Sequence, residues 1–511
     1  MNEGTYTQVS EDPYWHLHDE DFETPYMTPH LTATGSVFMG GRDVVSLNGD
    51  WRFAIDPMRE GLRQRWFEHD AQPIDDWSVP RDYDDGRWQT TPVPGCWTTE
   101  RDEWLRYEGA AWYSRSFEAA VPTDGDRLIL RIGAANEQTR VFLNGVFCGL
   151  HLGGSTPFFS DLTPHIQPGE NLVMIEVDST RRADAVPMHH TDWFNHGGLY
   201  RDVELVTVPD VHTSHLFVRL TDDGVAVDLT LSSAVDGTTK VDIARLAKGT
   251  IEVRAGAGTT VLDCAPELWS PDSLRLYDVT VTYGSDRVTD RVGFRRIERR
   301  GRELFLNGRA LQLRGIGMHE EDLDLGKCSD ESDIRRRFAH LKDLGANVAR
   351  AAHYPHHELV ARIADELGIL LWEEIPVYWA IAFDNPPTFE NARNQLVELI
   401  RRDANRASVI MWGVGNENAD TDARLDFMRG LVEAARAEDP SRLVTAACLI
   451  NRETFRIEDR LADYLDVIGL NQYFGWYEPG FEGLKRLLQN SDPERPVVIS
   501  ETGADAVAGL H

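Results

Sequence analysis

Lysine is nearly missing from this chain. Of 52 basic residues only Lys240, Lys248, Lys327, Lys342 and Lys485 are lysine, and the other 47 are arginine. Both kinds together are outnumbered by 84 acidic residues, which gives a formal net charge of −32. Asp and Glu are spread along the whole length rather than gathered in a tail, so the imbalance argues against a nucleic-acid or anionic-membrane partner. Cysteine is scarce too: Cys96, Cys148, Cys264, Cys328 and Cys448 are odd in number, scattered and without metal-ligand spacing. Reduced, mostly buried thiols are expected. No run of about 18 apolar residues occurs, which excludes a helical membrane span. The opening stretch, MNEGTYTQVSEDPYWHLHDEDFE, has neither the basic start nor the apolar segment of a signal peptide, so a cytoplasmic location is expected.

What is present points to several domains. At 511 residues the chain exceeds what one core organises. Residues 1–37 read as an irregular arm. From 38 to 209 the text consists of short β-type runs broken by Gly, Pro, Asn and Asp, among them Leu47–Phe53, Ala110–Ala119, Asp126–Ala135, Thr139–Gly145 and Asn171–Val177. That pattern predicts an antiparallel sandwich of jelly-roll type. A second, immunoglobulin-like β-sandwich is expected over 210–299, with Tyr277–Tyr283 as a strand. From 300 to 511 the rhythm becomes strand then helix, with strands expected at Leu311–Glu320, Ala346–Pro355, Gly368–Pro376, Ser408–Glu417, Leu443–Ile450, Asp466–Tyr473 and Pro496–Gly503. Amphipathic helices between them carry Ile334, Phe338, Leu341 and Leu344, then Leu359, Ile363 and Leu367, then Leu425, Met428, Leu431, Val432 and Ala435. Alternation of this kind means parallel strands and a (β/α)8 barrel, of which only seven strands are visible.

Two carboxylates stand out. Glu417 ends the apolar run VIMWGVGNE, and Glu501 ends PVVISE. A carboxylate inside a barrel would lose its water, so each belongs where its strand emerges, which is the catalytic face of such a barrel. A pair of carboxyls converging there is what glycosidic-bond cleavage needs. His319, His353, Glu373, Glu374, Asn471, Tyr473 and Trp476 collect at the same strand ends, as a sugar's hydroxyls and apolar face require.

The stretches RDANRASVIMWGVGNE (Arg402–Glu417), LNQYFGWY (Leu470–Tyr477), ISETGADAVAGLH (Ile499–His511) and DWFNHGGLYRDVEL (Asp192–Leu205) resemble glycoside hydrolase family 2, and within it the β-glucuronidase group. The resemblance implies a retaining exo-β-glycosidase acting on terminal β-D-glucuronides through a covalent glycosyl-enzyme. Glu417 would be the acid/base and Glu501 the nucleophile. Asn416 would hold the sugar's 2-hydroxyl and Asp192 its far side, with His319, His353, Asn471, Tyr473 and Trp476 lining the pocket. A β-galactosidase or β-mannosidase of the same family would use the same pair, and a non-catalytic carbohydrate-binding relative would not need it. The expected partner is a carbohydrate substrate, in a homo-oligomer with no cofactor. The metal-using members carry a Glu and a His where Tyr378 and Ala380 stand here, so no catalytic metal is expected. The family continues past the final GLH with a helix, an eighth strand and a loop gripping the sugar's carboxylate. The chain is therefore expected to be a fragment or an incomplete barrel.

A diffuse acidic surface almost free of lysine suits concentrated salt, where repulsion is screened within about 3 Å at 1 M; the alternative is an ordinary acidic cytosolic protein encoded with an arginine bias. The thermal midpoint should rise as KCl goes from millimolar to molar; a flat or falling midpoint would rule that adaptation out.

Overall fold

The computed structural model describes residues 40–68, 88–123, 125–478, 480–504 and 506, so the expected arm over 1–37 lies outside the described residues. The first unit is two antiparallel sheets face to face. One has six strands, in the order Gln89–Val93, Gly49–Asp56, Ala110–Ala119, Gly169–Asp178, Gln138–Leu143 and Val146–Leu152. The other has four: Asp43–Ser46, Val203–Val208, Arg127–Ile132 and Phe158–Asp161. Period-two alternation explains the pairing of the faces. On Gly169–Asp178 the residues Val173, Ile175 and Val177 enter the core between the sheets, while Met174 joins Trp112 and Phe142 under Leu62 and Phe67 on the outer face.

A smaller sandwich follows. Thr213–Thr221, Gly224–Leu231 and Ala257–Leu262 face a four-stranded sheet of Ala247–Val253, Gly237–Ile243, Tyr277–Tyr283 and Asp286–Val292, closed by Val227, Leu229, Val241, Ile251, Val279 and Val288.

The third unit is one parallel sheet of seven strands in chain order: β1 (Gly315–Met318), β2 (Val348–Ala351), β3 (Leu370–Glu374), β4 (Val409–Asn416), β5 (Leu443–Cys448), β6 (Val467–Asn471) and β7 (Val497–Glu501). All seven expected strands are there, and local capping signals set the bounds of helices between them. Helix α1 (Glu331–Asp343) starts at a reciprocal cap in which Asp330 accepts from the Asp333 amide, and it buries Ile334, Phe338 and Leu341, whereas Leu344, expected on the same face, caps the helix end and is exposed. Helix α2 (Glu358–Leu367) stops at Gly368, whose φ of 71° suits glycine. Helices α3 (Pro386–Asp403), α4 (Asp422–Glu438) and α5 (Glu482–Asn490) complete the outer layer. Among the described residues no helix is long and apolar enough to cross a membrane.

The sheet is nearly closed, and the seam shows in its burial. Every residue of β4 is buried, whereas Gly315 and Gly317 of β1 are exposed, as are Val497 and Ile499 of β7 at 38% and 36%. Among the described residues no strand pairs β1 with β7.

The three units are bolted together by polar contacts. Asn405, just after α3, donates to the Leu216 carbonyl and accepts from the Val218 amide in the middle sandwich, both at 2.9 Å. From the first sandwich, Arg201 donates to the Ser155 and Pro355 carbonyls and to Glu320 Oε2 at 2.7 Å, with both charged side chains buried. Burial alone would raise the Glu320 pKa, but the charge of Arg201 outweighs it and holds the carboxyl at about 2. The pair's stabilisation is therefore present above the ordinary carboxylate range and is lost only as pH falls through about 2.

Arg201→Leu strands that carboxylate, which costs about 3–5 kcal/mol. A thermal midpoint lower by roughly 5–10 °C at neutral pH is expected. A midpoint unchanged at pH 7 would show that the contact does not hold the two units together.

Candidate active site

Strand alternation builds the site from the bottom of the barrel upward. Inward positions run from Val348 to Arg350 on β2, and from Leu370 through Trp372 to Glu374 on β3. The indole of Trp372 fills the barrel's middle because Gly413 and Gly469 leave it room. A Cβ at either would lie within about 2.5 Å of that ring. Arg350 lies over the ring, 4.7 Å from its centroid. Above that apolar floor the inward side chains turn polar. Register shifts between Gly413 and Asn416 on β4, and between Leu470 and Asn471 on β6, adjust the two asparagines at the rim.

Arg350 is the hub. Its Nε and Nη2 donate to Glu374 at 3.0 and 2.9 Å, its Nη1 to Glu501 Oε1 at 2.6 Å, and its Nη2 also to Asn416 Oδ1 at 2.7 Å. Burial by itself would lower the pKa of this guanidinium, but Glu374 and Glu501 outweigh it and the net shift is upward. Glu374 answers in kind: burial would raise it, yet Arg350 and His353 bring it below the usual carboxylate value. Glu373, its neighbour on the same strand, faces the other way. Burial and then the charge of Asp403 push its carboxyl well above the usual range, so it belongs to the barrel wall and not to the site.

Around that hub stand the two singled-out carboxylates. Glu501, last residue of β7, accepts the Arg350 bond on Oε1 and a 2.5 Å bond from the Tyr473 hydroxyl on Oε2. Glu417 follows β4 directly and accepts from the Trp379 indole N–H at 2.9 Å. Both partners of that bond have left-handed backbone, φ 53° at Glu417 and 49° at Trp379. Such strain costs about 1–3 kcal/mol and collects where function fixes a side chain. Asn416 Oδ1 also accepts from Asn471 at 3.1 Å, while its buried Nδ2 has no protein partner and is free to donate to a ligand.

His353 completes the wall. Its Nδ1 is 2.7 Å from Glu374 Oε1 and its Nε2 3.5 Å from Glu501 Oε1. Trp193, brought from the first sandwich, packs between His353, His319, Tyr354 and Tyr378 with ring centroids 4.9–6.2 Å apart. The segment is pinned by Glu321, which accepts from the Phe194 amide at 2.9 Å. Asp192 is thereby held beside His319, His353 and the Tyr378 hydroxyl. Burial, then the charges of His353 and His356, lower the His319 pKa to about 3, so its imidazole is neutral.

Of the nine residues expected at the site, eight lie in this network. Trp476 does not join it directly: it is half exposed and reaches it through Tyr477, whose ring stands edge-on to Tyr473. Reading the sequence overlooked Arg350, Trp193 and Trp379. An arginine inside the apolar strand text ANVARAA was the available signal for the first, since a charge there must be paired.

Comparison with known proteins agrees with this architecture. The family model for the sugar-binding domain of glycosyl hydrolases family 2 matches residues 44–209, and that for the family's TIM barrel domain matches 297–511. A β-glucuronidase from Paenibacillus borealis is 30% identical over 531 aligned residues, spanning 92% of this chain and 84% of the relative. Among solved structures, a β-glucuronidase from an uncultured Clostridium species superposes with TM-score 0.79 at 27% identity, covering 93% of this chain and 86% of that one. A family 2 β-galacturonidase from Eisenbergiella tayi, bound to glycerol, gives 0.79 at 28%, covering 93% and 84%. With its paired strand-end carboxylates, its barrel and its leading sandwich, the chain belongs to glycoside hydrolase family 2 and is a glycoside hydrolase.

Proposed function

We propose that the protein removes terminal β-D-glucuronate residues from glycosides with retention of configuration, Glu501 acting as nucleophile and Glu417 as acid/base. The observation that carries this reading is the opposite dressing of the two carboxylates. Both oxygens of Glu501 are held by donors, Arg350 and Tyr473, which orient an acceptor-only carboxylate toward one face of a bound sugar. Glu417 is held through a single oxygen by Trp379, which leaves the other to carry a proton to the departing oxygen. In the first step Glu501 bonds to the anomeric carbon as the aglycone leaves with the proton of Glu417. In the second, Glu417 takes a proton from water, which then releases the sugar. That outcome calls for carboxyls about 5–5.5 Å apart. Asn416 Nδ2 would donate to the 2-hydroxyl, and Asp192 with His353 would meet hydroxyls at the sugar's far side, while Asn471 and Tyr473 keep Asn416 and Glu501 in place. The relatives that act on glucuronides and galacturonides both support a uronate, and these sugars differ only at C4.

Chromogenic aryl β-glucuronide, β-galacturonide, β-galactoside and β-mannoside should separate these readings, with the glucuronide giving the highest kcat/KM. A preference for the galactoside or mannoside would overturn the uronate reading. Glu417→Ala should lower kcat by about 10²–10⁴-fold on an alkyl glucuronide, and far less on an activated aryl glucuronide whose oxygen leaves without protonation. Equal losses on both would remove Glu417 from the acid/base role.

A further inference from the structure

We infer that Asp192, His319 and His353 form an inhibitory site for a borderline divalent cation of the zinc type, at the mouth of the sugar pocket. One potential ligand atom from each of the three lies within 4.8 Å of the others. Bonds of about 2.0–2.1 Å to a tetrahedral zinc would bring such atoms to roughly 3.3 Å of one another. The contraction needed falls on Asp192, whose side chain is exposed and would exchange its bond with the Tyr378 hydroxyl for the metal, and not on the buried His353.

A second observation concerns the orientation of His353. Its Nδ1 is engaged by Glu374 at 2.7 Å, which fixes the ring and leaves Nε2 on the side of the site. A carboxylate on the far nitrogen is how metal-binding imidazoles are commonly supported. Of the neighbouring cations, Arg350 is matched by Glu374 and Glu501, and Lys327 stands near Glu320 and Glu321. Counting Asp192, Arg350, Glu374 and Glu501 leaves the immediate surroundings negative, which favours a divalent ion. Two imidazole nitrogens with one carboxylate oxygen select zinc over magnesium or calcium, which prefer all-oxygen shells. Three protein ligands leave a fourth position open to water.

A cation there would occupy Asp192 and His353, the groups assigned above to the sugar's far side. It would therefore compete with substrate rather than assist the reaction, and this competition, though not the binding itself, rests on the function proposed above.

The test is isothermal titration of ZnCl₂ into the metal-free full chain, with wild type, Asp192→Asn, His319→Gln and His215→Gln. His215 lies away from the barrel mouth, in a cavity lined by Arg127, Phe159 and Arg401, and controls for histidines elsewhere. One zinc per chain is expected, weakened at least tenfold by Asp192→Asn and by His319→Gln, and unchanged by His215→Gln. Because Asp192 is exposed, its variant tests the site without disturbing a core. Hydrolysis of the aryl glucuronide should show zinc raising KM with kcat unchanged, reversed by chelator. Absence of stoichiometric binding, or binding that survives both ligand variants, overturns the site. Zinc that binds as expected without competing supports the site and instead overturns the assignment of Asp192 and His353 to the sugar.

Discussion

A guanidinium buried at the centre of a barrel is tolerated only if its charge and its donors are met, and Arg350 meets both conditions with Glu374, Glu501 and Asn416. The consequences spread outward from that requirement. Glu374 balances the charge and also seizes Nδ1 of His353, which fixes that ring. Asn416 turns its carbonyl oxygen to Arg350 and Asn471, which leaves its amide nitrogen for a ligand. Glu501 is drawn to one side of the rim by the same cation. Truncating one member leaves others buried and unpaired, so these residues behave as one unit whose separate contributions do not add.

The first sandwich is part of the site because the site wall passes through it. Trp193 packs on residues from the segments that follow β1, β2 and β3, while Arg201 and Glu321 hold the sandwich to the loops beneath it. The site wall is thus shared between two units, with Trp193 of the first sandwich closing one side of it.

Much of this was legible in the sequence. The rhythm of β-type runs alternating with amphipathic helices announced all seven barrel strands, and the period-two alternation of the sandwich strands announced their faces. Glu417 and Glu501 could be singled out because a carboxylate after an apolar run must emerge from the core. The network between them could not. Arg350 meets Glu501 across 151 positions of chain and Asn416 across 66, and only the curling of the seven-stranded sheet brings them together. Glu373 and Glu374 look alike in the text, yet alternation sends one into the site and the other into the wall against Asp403. Trp379 escaped notice because its contact with Glu417 depends on two left-handed residues, which no hydrophobic pattern encodes.

The central claim is that Glu501, held by Arg350 and Tyr473, forms a covalent bond to the sugar while Glu417 supplies the proton. The most direct measurement is to incubate the protein with a 2-deoxy-2-fluoro-β-glucuronyl fluoride, whose good leaving group and slow second step trap the intermediate, and to map the adduct by peptide mass spectrometry. Time-dependent inactivation is predicted, with one fluoroglucuronyl group per chain on the peptide containing Glu501, and no labelling once Glu501 is replaced by Gln. A label on Glu417, or hydrolysis of the probe without any adduct, would contradict the account.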